Sequence, residues 1–276
     1  MLEETKNRLT ETARRVRAGI LRGVYHAASG HPGGSLSAAD ILTYLYFEEM
    51  RVRPDDPKWE DRDRFVLSKG HSAPALYAAL ALRGFFPVEE LDTLRQADAR
   101  LQGHPDMKGT PGVDMSTGSL GLGISAACGM ALSGKYRKKD YRVYAILGDG
   151  ECEEGQVWEA AMFAAHYALD NLTAVVDCNG LQIDGRVQEV MNPMPFDEKF
   201  RAFGWNVVTC DAHNFDEIAE AFAAARACKG KPTVILAKSV KGKGVSYMED
   251  QCGWHGKAPN ADEFTTAMAE LTGEGK

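Results

Sequence analysis

Val143-Tyr-Ala-Ile-Leu147 runs straight into Gly148-Asp149-Gly150 and then an acidic stretch, Glu151 to Gly155. Five apolar residues bounded by glycines read as a buried strand that ends in a turn, with a helix following over Gln156 to Leu169. Leu172-Thr-Ala-Val-Val-Asp177 then repeats the strand pattern and ends in Cys178-Asn179-Gly180-Leu181-Gln182-Ile183-Asp184-Gly185. A strand, a helix and a second strand connected this way form a right-handed crossover, so the two strands should lie parallel.

The same alternation extends outward in both directions. Arg64 to Ser68, Trp205 to Thr209 and Pro232 to Ser239 have the length and apolar character of strands. Ala73 to Arg83, Phe196 to Phe203 and Phe215 to Cys228 read as helices. At the amino end, Leu9, Ala13, Val16, Ile20, Val24 and Ala27 recur at helical spacing, which predicts a helix over Glu3 to Ser29 stopped by Gly30. A second helix is expected from about Ser37 to Met50. The fold class is therefore α/β, a mainly parallel sheet with helices on both faces, and ligands of such sheets bind at the carboxyl ends of the strands. No repeat or linker divides the chain, so it is read as one domain over residues 1–276, with 1–60 a helical N-terminal extension.

Composition narrows the function. Of 276 residues, 44% are apolar and 26% charged, and 32 basic against 39 acidic residues leave a net charge of −7. That balance gives no overall attraction to nucleic acid or an anionic membrane. The longest apolar runs, such as Ala75 to Leu82, fall far short of the ~20 residues of a spanning helix, and the first residues lack the apolar stretch of a secretory signal. A cytoplasmic location is expected. Six scattered cysteines (Cys128, Cys152, Cys178, Cys210, Cys228, Cys252) form no Cys-x-x-Cys pair and are read as reduced, mostly buried thiols.

Neighbouring strands sit ~4.8 Å apart, so Asp149 and Asn179 should emerge side by side at one sheet edge. A carboxylate, an amide oxygen and a turn carbonyl are hard ligands suited to magnesium, with phosphate oxygens completing the shell. Glycines let phosphates approach the backbone, and the helix start offers free N–H groups. Four of the seven histidines, His31, His71, His104 and His255, stand in glycine-rich turns. None has zinc-site spacing, which favours hydrogen bonding and proton transfer. His26, His166 and His213 fall in or beside helices and are read as packing or surface residues.

As a set, Ser29-Gly-His-Pro-Gly-Gly-Ser35, Ser68-Lys-Gly-His-Ser72, Gly103-His-Pro105, Ser116-Thr-Gly-Ser-Leu-Gly-Leu-Gly123, Leu147-Gly-Asp-Gly-Glu151, Asn179-Gly-Leu-Gln-Ile-Asp-Gly185, Lys241-Gly-Lys-Gly244 and Trp254-His-Gly-Lys257 resemble, in order, motifs of the transketolase family. The resemblance is to the amino-terminal third to half of such enzymes, the part that binds the diphosphate of thiamin diphosphate. It implies that Asp149, Asn179 and the carbonyl of Leu181 hold Mg2+ or Ca2+, and that Lys69, His71, Gly118, Leu120, Asp149, Gly150, Asn179, Ile183, Lys241 and His255 contact the cofactor. Glu154 matches a glutamate between paired sites at a dimer interface. His31, His71, His104 and His255 match histidines around the reacting carbon and the first substrate hydroxyls. Glu151 and Cys152 replace smaller or apolar residues, and Gly34-Ser35 replaces a common Ala-Pro.

The resemblance further implies two-carbon transfer from a ketose, of a phosphorylated kind or otherwise, to an aldose. It implies a separate polypeptide carrying the second, C-terminal domain, and an α2β2 assembly built on a dimer of this chain. The cofactor would supply the electron sink for C2–C3 bond cleavage, and neutral imidazoles would move the C3 hydroxyl proton. Two other readings stay open at this point: the α subunit of a thiamin-dependent 2-oxoacid dehydrogenase, which has less need of a histidine ring, and a non-catalytic cofactor-binding half. A dinucleotide-binding protein is disfavoured, because Gly118 to Gly123 runs Gly-x-x-Gly-x-Gly and no clear strand precedes it.

Overall fold

Five strands, β1 (Arg64–Leu67), β2 (Val143–Gly148), β3 (Leu172–Cys178), β4 (Asn206–Asp211) and β5 (Thr233–Lys238), pair in parallel in the order β1-β2-β3-β5-β4. This computed structural model describes residues 1–273. The helices are α1 (Glu3–His26), α2 (Pro32–Ser37), α3 (Ala39–Tyr44), α4 (Ala73–Arg83), α5 (Leu122–Tyr136), α6 (Gly155–His166), α7 (Val187–Val190), α8 (Phe196–Ala202), α9 (Phe215–Ala227) and α10 (Ala261–Thr272). Among the described residues no helix is long and apolar enough to cross a membrane.

Strand side chains point alternately to the two faces, and β2 shows the result. Tyr144 and Ile146 join a core with α1, α3, α4, α9 and α10, whereas Val143, Ala145 and Leu147 join a second core with α5, α6 and α8. The helices therefore cover both faces, as the strand–helix alternation requires. The expected crossover is present: β2 and β3 are neighbours in register, with Gly148 opposite Asp177. Asp177 in turn lies opposite Ala237 of β5, so three consecutive strand ends open on one edge.

The structure departs from the sequence reading at several helices, the single turn α7 among them. The first helix stops at His26, ahead of Gly30, and the chain turns through Ala28 with φ 46°. The second begins at Pro32, not near Ser37, because proline suits the first helical position. It breaks at Ala38, resumes as α3 and widens into a π-turn over Leu45–Glu49. Helix α5 forms from a Gly- and Ser-rich sequence with little helical signal; tertiary contact overrides the propensity, since a methyl on Gly123 would sit 2.6 Å from Ser68. Helix α10 lies outside the helices expected from the pattern, although Asn260 and Glu263 form a capping box that its sequence carries openly.

All six cysteines are free thiols; Cys128, Cys152 and Cys210 are buried, and Cys178, Cys228 and Cys252 are partly so.

Candidate active site

Loops from the carboxyl ends of β1, β2, β3 and β5 meet the turn before α2 around a cleft of about 370 Å³. His31, Lys69, His71, Gly118, Leu120, Asp149, Gly150, Glu154, Asn179, Leu181, Ile183, Lys241 and His255 all line it. His104 does not line the cleft. Its ring stands behind Gly118, where an added methyl would meet it at 3.4 Å, and its loop is fixed by the Tyr77 hydroxyl donating to the carbonyls of Gln102 and His104.

Two buried cations form the floor. Lys69 donates to the Gly34 carbonyl at 2.8 Å and pairs with Asp177. Asp177 also accepts from Ser37, Ser239 and the Asn179 amide, the last at 3.1 Å. A buried charge pair is tolerable only when its remaining hydrogen-bonding capacity is filled in this way. Lys241 donates to the Leu181 carbonyl at 2.9 Å and contacts His255 Nδ1 at 3.0 Å. Burial, with the like charge of Lys69, lowers Lys241 to about 8.

The Asp149 carboxylate accepts from the N–H of Gly150 at 2.9 Å and of Gly180 at 2.6 Å, which locks the β2 turn to the β3 turn. Burial, then the charge of Asp177, raises it to about 6 despite those bonds. A cation held there would relieve that cost. Asn179 Oδ1 accepts from the Leu181 N–H at 3.1 Å and keeps a further lone pair. No group of three His, Cys, Asp or Glu side chains among the described residues is placed to hold a metal. The available donors are instead one carboxylate, one amide oxygen and one carbonyl, a set that fits Mg2+ or Ca2+. The Lys241 ammonium engages one lone pair of the Leu181 carbonyl, which leaves the other for a metal ion.

Above the floor, His31, His71 and His255 form a triangle with ring centroids 5.1 to 5.4 Å apart. Burial is the first cause holding each neutral, reinforced by nearby cations: His31 falls to about 4, His71 to about 2 and His255 to about 3. His104 is lowered too, by burial and then Arg95. A histidine kept neutral by the fold gains its proton only in the unfolded chain between pH 6.5 and its folded value. Stability contributed by that neutrality is therefore complete above pH 6.5 and is lost as pH falls through this window. For the largely buried His71 the loss between pH 6.5 and 4 is expected to be about 1–3 kcal/mol. Asp149 contributes the opposite slope between 3.8 and about 6, so the informative quantity is a difference between variants. Chemical denaturation of His71→Gln across this range should show a shallower acid decline than the parent; parallel curves would refute the assignment.

Several groups at the site escape sequence reasoning. Asp177 reads in sequence only as the last residue of a strand, yet a carboxylate closing a fully buried apolar run is an available signal. Glu151 is buried. It accepts from Ser68, from the Gly121 N–H at 2.9 Å and from the Gly148 N–H at 3.0 Å, joining the 117–122 loop to the β2 turn. His213 is neither a surface residue nor simple packing, because both of its ring nitrogens are engaged, by Asp40 and by the Val240 N–H.

Residues 8–274 match the family described as "Transketolase, thiamine diphosphate binding domain". The chain is 48% identical over 275 residues to the 6-deoxy-6-sulfo-D-fructose transketolase subunit SqwG of Clostridium sp. (strain MSTE9), covering 99% of this chain and 100% of that one. It is 44% identical to one subunit of the apulose-4-phosphate transketolase of Phocaeicola vulgatus, covering 90% of this chain and 88% of that one. The crystal structure of Campylobacter jejuni transketolase superposes with a TM-score of 0.90 at 33% identity, over 96% of this chain and 42% of the longer one.

Proposed function

Because the chain belongs to the transketolase family, we propose that it is the amino-terminal subunit of a split, thiamin diphosphate-dependent transketolase, completed by a separate C-terminal subunit. The carrying observation is the triangle of neutral histidines set directly above two buried lysines and Asp149 in one cleft. Family membership decides against the 2-oxoacid dehydrogenase alternative, and an intact floor and histidine set argue against a non-catalytic half.

Lys69, Lys241 and the N–H groups around Gly150 would hold the diphosphate end, while Asp149, Asn179 and the Leu181 carbonyl would hold Mg2+ or Ca2+. Once bound, thiamin diphosphate supplies the electron sink for breaking the C2–C3 bond of a ketose. Ile183 and Leu120 offer exposed apolar surface at the cleft mouth, suited to the flat face of a ring. An ammonium can only donate, so the contact from Lys241 fixes His255 Nδ1 as an acceptor and leaves the proton on Nε2. His255 therefore presents a donor to substrate oxygens. The imidazole that takes the C3 hydroxyl proton belongs to His31, His71 or His104, all kept neutral and able to accept it.

Leu122 on α5, and Met162, Phe163 and Tyr167 on and beside α6, the helix that Glu154 precedes, expose apolar side chains, which supports self-association of this chain and hence an α2β2 assembly. Two of the relatives are named for a sulfonated and a phosphorylated sugar, so an anionic ketose is the proposed donor. A cytoplasmic location fits such chemistry. With both subunits co-purified, His104→Ala and His255→Ala should each lower kcat/KM on the best ketose of a phosphorylated and sulfonated panel by ~10²–10⁴-fold. Cofactor affinity should move far less, since the lost contacts form with substrate in the transition state. Unchanged kcat/KM in both variants would remove His104 from the candidate bases and His255 from the substrate donors, leaving the proton to His31 or His71.

A further inference from the structure

Lys241 sits in a turn that has backbone bonds of its own, from the Lys243 N–H to the Val240 carbonyl at 3.2 Å and from the Asp250 N–H to the Lys241 carbonyl at 3.0 Å, and one to a distant element, from the Gly242 N–H to the Gly33 carbonyl at 3.0 Å. Gly242 and Gly244 have φ of 79° and 94°, and a methyl on Gly242 would come within 2.3 Å of the Met248 carbonyl oxygen. Beyond those backbone bonds, residues close to Lys241 on either side are clamped by side chains from distant elements. The Val240 N–H donates to His213 Nε2 at 3.0 Å, and the Lys243 carbonyl accepts from Arg17 Nε at 2.9 Å. Both clamping groups converge on one carboxylate. Asp40 on α3 contacts His213 Nδ1 at 2.6 Å and takes a two-pronged bond from the Arg17 guanidinium, with Nη1 at 2.9 Å.

The side chains of Arg17, Asp40 and His213 are only 9%, 7% and 13% exposed. Their directions are mutually dependent. An acceptor is needed at His213 Nε2 for the Val240 N–H, so the ring proton must lie on Nδ1, where an ionised Asp40 receives it. Burial pushes Asp40 up, but Arg17 and His213 outweigh it and bring Asp40 down to about 2, so the carboxylate stays charged.

We propose that Arg17, Asp40 and His213 are positioning residues that fix the loop over residues 239–244, and through it hold the Lys241 ammonium on the Leu181 carbonyl and His255. The proposal rests on the functional reading only in giving Lys241 a task. It assigns helix α1 a role at the site, since Arg17 carries one clamp across from the amino end of the chain.

The test uses the assembled protein and two readouts. Hydrogen–deuterium exchange across residues 239–244 should be at least ~10-fold faster in His213→Leu, with the strands unchanged, and should return near the parent rate in His213→Gln, whose amide keeps one donor and one acceptor. Isothermal titration with thiamin diphosphate and Mg2+ supplies the second. If His213 acts through Lys241, the double variant His213→Leu, Lys241→Met should bind no more weakly than Lys241→Met alone, whereas independent effects would multiply. Unaltered loop exchange in His213→Leu, failure of His213→Gln to restore it, or multiplying losses would each overturn the proposal. Should His213→Leu not fold, His213→Asn, too short to reach Val240, takes its place with the same outcomes. A wild-type assembly that transfers no two-carbon unit would defeat the functional reading and leave the exchange result standing.

Discussion

Mixed with thiamin diphosphate, Mg2+ and an anionic ketose, these 276 residues alone will transfer no two-carbon unit above background, and adding the second subunit will raise the rate by more than about 10⁴-fold. The cleft explains the size of the step. Its floor is buried, with Lys69 and Lys241 each 2% exposed, whereas Ile183 at its mouth is 65% exposed. Hydrogen bonds and fixed charges aimed at a reacting centre act strongly only when water is excluded. The histidine triangle therefore has its full effect once another surface closes over Ile183 and Leu120. Light scattering and a coupled assay on the separate and mixed chains measure this directly. Full activity of this chain, with mass spectrometry finding no second polypeptide, would sink the split-enzyme reading.

Replacing Asp149 by Ala should weaken capture of thiamin diphosphate by the assembled protein on the order of 10²–10³-fold, as losing a metal ligand at a diphosphate does. Stability should change far less, because two effects oppose each other: Ala forfeits the bonds that the carboxylate accepts from the Gly150 and Gly180 N–H groups, and it also removes a buried charge. Burial raises Asp149 to about 6, so keeping this carboxylate ionised at pH 7 costs folding free energy that Ala does not incur. A loss of binding much larger than the change in unfolding free energy of the unliganded protein separates the ligand role from the structural one. A chelator should reduce cofactor affinity in the parent protein and change little in Asp149→Ala. Equal affinity of the parent with and without chelator would refute the metal assignment.

The sheet and the cleft are legible in the sequence because their signals are local. A parallel strand buried on both faces reads as an apolar run, and the glycine turns after β2 and β3 carry their polar residues within a few positions of the strand end. The floor beneath them is harder to read. Asp177 finds its partners at Lys69, Ser37 and Ser239, each on a different element, and no spacing in the sequence brings those together. His213 looks like packing because nothing near it in sequence interacts with it through its ring; Asp40 and Val240 reach it only through the fold. Helix α5 is hidden for the reverse reason. Gly123 and Gly134 weaken the helical signal, yet each is where Ser68 or Tyr141 comes too close for a larger residue.

All five strands find their hydrogen-bonding neighbours within this chain, and the crossovers that connect them are built from its own helices. A break in the covalent chain beyond α10 therefore cuts no ladder and exposes no new strand edge. In evolutionary terms, fission or fusion of a gene at that point is close to neutral for this half. Such a fold matches 42% of the longer Campylobacter jejuni enzyme and the whole length of the Clostridium relative, which is named a subunit.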